Sequence, residues 1–168
     1  MDMKRSIRKW GALIVAIILY FVVHEGAHFL YAVGIGSFKQ VNFIGLGVQV
    51  DIFREQMTDT QLGIFCLAGP AAALLVGYVL TLTARFIVKS RSLLLRAAAH
   101  YTSLVLLVVD PLYLSVLYPF VGGGDMNGIA LIFPETAVRI VFGVIAAVNL
   151  FILFKYLVPL YRRAYQAS

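Results

Sequence analysis

The sequence predicts an all-α polytopic membrane protein, with about four transmembrane helices and a short β-hairpin or strand inserted after the first. Three observations predict it. Of the 168 residues, 61% are apolar and only 13% charged, against roughly 45–50% and 25% in soluble domains. The apolar residues fall in four runs, approximately 10–33, 62–88, 93–118 and 136–160, and a hydrocarbon core takes about 20 residues to cross. Between the first two runs the pattern turns β-branched and partly alternating. A disordered chain is excluded, being poor in aromatics and rich in charge. A soluble globule of this length has too little interior to hide so much apolar surface.

Each element follows in order. The first run succeeds a basic segment with Lys4, Arg5, Arg8 and Lys9. It is too long for a signal-peptide core and no A-x-A-like cleavage site follows, so it reads as an uncleaved span. Residues 41–53, with Gly45 and Gly47 in mid-run, read as one bent strand or a short hairpin. Gly69-Pro70 in the second run reads as a kink whose freed carbonyls neighbours satisfy. Between Pro119 and Pro134 lies a glycine-rich turn, Gly122 to Gly128. Such backbone is tolerated at membrane depth only where protein buries it or it lines a wet cavity. Residues 1–168 read as a single membrane-embedded domain, without repeat or linker.

Charge supplies an orientation. The N-terminus, the 85–96 connection and the C-terminal end carry eleven of the 14 Lys and Arg; Lys39, Arg54 and Arg139 are the rest. By the positive-inside rule both termini are expected in the cytoplasm, which an even number of spans permits. The net charge of +6 therefore speaks to topology and anionic lipid, not to nucleic acid. Cys66 is the sole cysteine, so no internal disulfide and no CxxC site exists.

The chemistry sits in the first span, in His24-Glu25-Gly26-Ala27-His28. On a helix, positions i and i+4 share a face, so both imidazoles can reach one metal ion. Zinc suits imidazole nitrogen and carboxylate oxygen, and a catalytic site keeps one position open for water. Glu25 is placed to take a proton from that water and pass it to a leaving amine. The alternative is a purely structural hydrogen-bonded cluster. Against it stands the cost of each charged group at the centre of a lipid-exposed helix, about 2.5–3.5 kcal/mol; three ionisable residues within five positions need a shared purpose.

An HExxH in a transmembrane helix, then a short β-region, a Gly-Pro span and a glycine-rich turn bearing Asp resembles the site-2 protease family of intramembrane zinc metalloproteases. The likeness covers most of the chain in element order, with the first motif the sharpest. It implies that His24 and His28 bind one zinc ion per chain, that Glu25 is the catalytic base, and that Asp125 is the third ligand. The family's Leu-Asp-Gly is only approximated by Gly124-Asp125-Met126-Asn127-Gly128. An ordinary Asx turn is the plain reading of Asp125, and Asp110 is the rival ligand, unless it caps a helix restarted after Pro111. The family often carries Asn three positions after the Pro of Gly-Pro; here that position is Ala73, so Asn127 or Asn149 would have to supply the contact. Asn149 otherwise reads as interhelical hydrogen-bond glue, and His100 as a packing histidine far from the metal.

Counted from Trp10, the metal lies about 21–27 Å along the helix, in the outer half of the membrane. The family's best-known members hold it nearer the cytoplasm. Either the chain is a branch with inverted topology or its basic ends do not report orientation; the charge count is kept. An unwound substrate segment could pair with the 41–53 strand by β-augmentation, with Gly45 and Gly47 permitting close approach or merely bending the strand. No room remains for the PDZ or nucleotide-sensing domains of some relatives, so substrate selection falls to the core or to a partner or second copy. The expected function is thus hydrolysis of membrane-protein substrates within the lipid bilayer. The alternatives are a non-proteolytic metal-binding chaperone or scaffold, for which Glu25 has no purpose, and a small metal transporter, for which the other spans hold few ionisable groups.

Overall fold

The computed structural model describes residues 3–45 and 47–166. Met1, Asp2, Leu46, Ala167 and Ser168, which belong to the expected basic segment, strand region and single domain, lie outside the described residues, as do the side chains of Lys4, Arg5 and Ile44. The chain runs α1 (Met3–Gly34), β1 (Phe38–Ile44), β2 (Gly47–Ile52), α2 (Asp59–Ile87), α3 (Leu93–Val121), α4 (Gly124–Ile129) and α5 (Glu135–Gln166). Helices α1, α2, α3 and α5 are each long and apolar enough to cross a membrane. This is a multi-pass membrane protein with one antiparallel hairpin after its first helix.

The helices begin and end on readable signals. Thr58 and Gln61 form a reciprocal capping box that starts α2 at Asp59, earlier than the apolar run alone suggests. Helix α2 then continues unbroken through Gly69-Pro70. Likewise α3 continues through Asp110-Pro111, so Asp110 does not cap a restarted helix; past the proline the helix widens into a π-turn at Tyr113–Leu117. It stops at Gly122 and Gly123, whose φ values of 64° and 145° are closed to ordinary L-residues. The expected glycine-rich turn is thereby shortened to these residues, and Gly124–Ile129 is a helix instead. The 41–53 region resolves as the hairpin and begins earlier, at Phe38.

On α1 a stripe at every fourth position carries Ala12, Ala16, Tyr20, His24, His28 and Ala32, all but half-buried Tyr20 sealed from the surface. Four residues advance about 400° around a helix, so the stripe winds across α1, which packs against both α3 and α2. Alanine admits close helix approach where lipid offers no hydrophobic drive. Ile14, Ile17, Ile18 and Leu30 take the exposed faces.

Two polar staples join the spans. Asn149 accepts from the Tyr78 hydroxyl at 2.7 Å and donates to the Leu107 carbonyl at 2.7 Å, tying α5 to α2 and α3. At the end where α2 meets α3, the buried Arg96 donates to the carbonyls of Val88 and Ala164, capping the last turns of α2 and α5. His100 is near that end, its ring against Tyr101 and Tyr161.

Candidate metal centre

The centre is built on the α1 stripe. His24 and His28 present their Nε2 atoms 3.1 Å apart. Asp125, in the first turn of α4, brings Oδ2 to 3.2 Å from Nε2 of His24 and Oδ1 to 3.5 Å from Nε2 of His28. Gly122 and Gly123 make that delivery possible: the chain reverses there, and any Cβ on Gly123 would collide with the Tyr113 hydroxyl, which itself donates to the Gly122 carbonyl. Helix α4 is held down by Gly128, where a Cβ would meet Sγ of Cys66.

The opposite ring nitrogens are fixed by other partners. Nδ1 of His28 donates to the Phe65 carbonyl at 2.7 Å. Nδ1 of His24 donates to Oδ2 of Asp110 at 3.2 Å, and the Tyr20 hydroxyl donates to Oδ1 of the same carboxylate at 2.5 Å. An imidazole that donates through Nδ1 is left with a lone pair on Nε2. With both imidazoles neutral, two lone pairs and a carboxylate converge within 3.5 Å, an arrangement that a cation at the focus, a metal ion or a proton on Nε2 of His24, relieves.

The spacing fits one. Ligands at about 2.0–2.1 Å from a tetrahedral ion lie about 3.3–3.4 Å from each other, and the three separations here are 3.1, 3.2 and 3.5 Å. Gly69 leaves the room: a Cβ at that position would come within 2.5 Å of Nε2 of His28 and 2.7 Å of Nε2 of His24. The Gly of Gly-Pro, expected to matter as a kink, is instead the point where α2 passes against both imidazoles. His24, Glu25 and His28 form a group able to hold a metal ion, with ligand atoms within 4.8 Å of one another. Glu25, however, turns one oxygen to the strand, where the Val50 amide donates to Oε2 at 3.0 Å.

Asp110 shares the centre without reaching its focus, since it contacts His24 from behind the ring. A cavity of about 520 Å³ opens between β2 and the centre, bordered by Glu25, His28, Gly47, Asp125 and Asn127. A second cavity of about 460 Å³ lies on the α1–α3 side, against Tyr20, His24 and Leu117. Asp125 and Tyr113 border both. Gly45 is in the hairpin turn with a φ of 60°, off the cavity wall. Asn127 accepts from the Tyr118 hydroxyl through Oδ1 at 2.8 Å. Asn149 spends both ends of its amide on the interhelical staple, and Ala73 is fully buried. His100 precedes Asp110 by ten residues, about 15 Å along α3.

Several participants escaped the sequence reading. Tyr20 had a signal, one turn before His24 on the same face. Phe65 and Val50 had none, because each acts through its main chain on a distant segment, and Tyr113 had none because its partner is a main-chain carbonyl nine residues on. No protein-family model, curated protein or solved structure matches this chain. What the geometry offers chemically is a group able to hold a metal ion, with a cavity bordered by a strand edge beside it.

Proposed function

We propose that this chain is an intramembrane zinc metalloendopeptidase, hydrolysing peptide bonds in transmembrane or membrane-proximal segments of other proteins. The observation that carries the reading is the meeting of two imidazole Nε2 atoms and the Asp125 carboxylate within 3.5 Å, with the Glu25 carboxylate beside them. The likeness to the site-2 protease family, in the order HExxH span, hairpin, Gly-Pro span and Asp-bearing glycine-rich segment, supports the same reading. A scaffold that only grips helices has no use for Glu25.

His24, His28 and Asp125 would hold one zinc ion, which when bound supplies a Lewis acid for the carbonyl and lowers the pKa of coordinated water toward about 7. Every other part belongs to the chain. Asp110 keeps His24 in the tautomer that offers Nε2, and Tyr20 keeps Asp110 in place, the carboxylate–histidine support typical of metal ligands. Glu25 accepts the proton of the attacking water as its oxygen bonds the carbonyl carbon. It returns that proton to the amide nitrogen as the C–N bond breaks, leaving a carboxylate and an amine.

A substrate helix must unwind first, because its carbonyls are bonded within the helix. The cavity beside β2 suits an extended peptide, which could add to the strand edge by β-augmentation. Gly47 allows close backbone approach there. Asn127, with its carbonyl end held by Tyr118, has its amide hydrogens for a substrate carbonyl. The charge count argues for both termini in the cytoplasm, which sets the centre in the outer half of the bilayer.

The test is reconstitution with single-span substrates beside Glu25→Gln and His24→Ala. Cleavage by the wild type only, with zinc retained by Glu25→Gln, is the expected result. Undiminished cleavage by Glu25→Gln refutes the assigned base, and a zinc-loaded wild type that binds substrates without cutting any of them refutes the peptidase.

A further inference from the structure

Strand β2 has β1 on one edge only, and the other edge borders the cavity that holds the candidate centre. Amides along a strand point alternately to either side. The Val50 amide donates to Oε2 of Glu25 at 3.0 Å, so it faces away from β1, and Ile52, two residues on, faces the same way. The Ile52 amide donates to Oδ1 of Asp51 at 3.0 Å, and Asp51 is in turn paired with Lys39 at 3.0 Å. Of the three outward donors, Val48, Val50 and Ile52, two are therefore closed by carboxylates. Asp51 belongs to the strand and merely protects an open edge. Glu25 comes from α1, and the peptidase reading makes it the proton carrier.

The distance decides what this contact excludes. An oxygen 3.0 Å from a strand amide occupies the place that the carbonyl of a neighbouring strand would take, since ladder bonds are about 2.9–3.0 Å long. Glu25 and a paired peptide cannot both have the one hydrogen of Val50.

We propose that the Val50 main-chain amide is a positioning group: it holds Glu25 on the strand edge until an extended substrate pairs with β2, takes that amide with its own carbonyl, and releases the carboxylate to receive the proton of water. This rests on the peptidase reading. It makes cleavage conditional on unwinding, because a segment that stays helical has no free carbonyl to exchange for Glu25. A short or badly extended peptide that reaches the centre meets a carboxylate with one oxygen still held on the strand.

The amide itself is the readout. Full-length protein in nanodiscs, labelled with ¹⁵N-valine, is compared with Glu25→Gln, with and without a peptide whose scissile bond is reduced to CH₂–NH. The Val50 amide resonance is expected to move in Glu25→Gln, and to move in the wild type on peptide binding, while Val41 on β1 stays put. A Val50 resonance indifferent to Glu25→Gln, or one that stays on the carboxylate with peptide bound, overturns the proposal. Kinetics add a second arm. Proline is tolerated where a strand's N–H faces outward at an edge, so Val50→Pro removes the donor, together with a buried core side chain. Its kcat on peptides too short to pair with β2 should rise about tenfold, the order of one hydrogen bond to a charged group, while KM for long substrates rises too; unchanged kcat on short peptides counts against the proposal. The resonance arm needs no change at Val50, so a misfolded proline variant leaves it standing. Amide exchange in a protein that hydrolyses nothing would uphold the contact and overturn the peptidase reading instead.

Discussion

Asp110 and Asp125 approach the same imidazole from opposite sides at the same distance, 3.2 Å from Nδ1 and from Nε2 of His24 respectively. Their surroundings differ. The Asp110 side chain is 2% exposed, lies against the second cavity between α1 and α3, and has its second oxygen taken by Tyr20. The Asp125 side chain is 20% exposed, borders a cavity and reaches both histidines. In the proposed centre one carboxylate would set a tautomer and the other would complete the ligand set, so what would separate a ligand from its support is the nitrogen it faces, not its distance from the ring.

Several substitutions break or sharpen this contrast, beginning with the largest effect. Gly69→Ala should abolish metal binding altogether, since its Cβ would sit 2.5 and 2.7 Å from the two Nε2 atoms; metal content of the purified variant checks it. Asp125→Ala leaves only two protein ligands and should lose stoichiometric metal. Asp110→Asn keeps the centre but weakens it by about 10–100-fold, the usual cost of removing a metal ligand's hydrogen-bonded support; competition with a chelator reads the difference. Tyr20→Phe removes one hydrogen bond to that support and should cost about tenfold or less in the same assay. Asp51 is the control. It lies outside the spans, and its hydrogen bond with Lys39 holds its carboxyl below the usual range. A depressed pKa contributes stability above the unfolded-state value of about 3.9, lost as pH falls through the folded one. The protection of the hairpin amides, taken relative to their intrinsic exchange rates at each pH, should therefore fall only in acid, and Asp51→Asn should not show that fall.

The sequence made the architecture legible because lipid enforces it. Backbone polar groups in hydrocarbon must be bonded within the segment, so length and apolarity suffice to find α1, α2, α3 and α5. His24, Glu25 and His28 were legible for a related reason: their spacing of one turn fixes a common helical face, and burial in a membrane span needs explanation. The contrast between Asp110 and Asp125 was not legible, since it depends on which ring nitrogen each meets once α3 and α4 are in place. Gly69 was seen as a partner of Pro70, because nothing local tells that two imidazoles from α1 pass within reach of its Cα. The hairpin was half legible. Alternation marked the strands, but only the pairing of Val41 with Val50, together with the hydrogen bond from Val50 to Glu25, reveals which edge faces the centre.

The most direct test is zinc content with zinc K-edge X-ray absorption on the purified wild type, Asp110→Ala and Asp125→Ala. The account predicts one ion per wild-type chain, with nitrogen and oxygen neighbours at about 2.0–2.2 Å. It further predicts a weakened ion with an unchanged ligand set in Asp110→Ala, and none in Asp125→Ala. A wild type without stoichiometric zinc, or an ion that survives loss of Asp125 and disappears with Asp110, would contradict it.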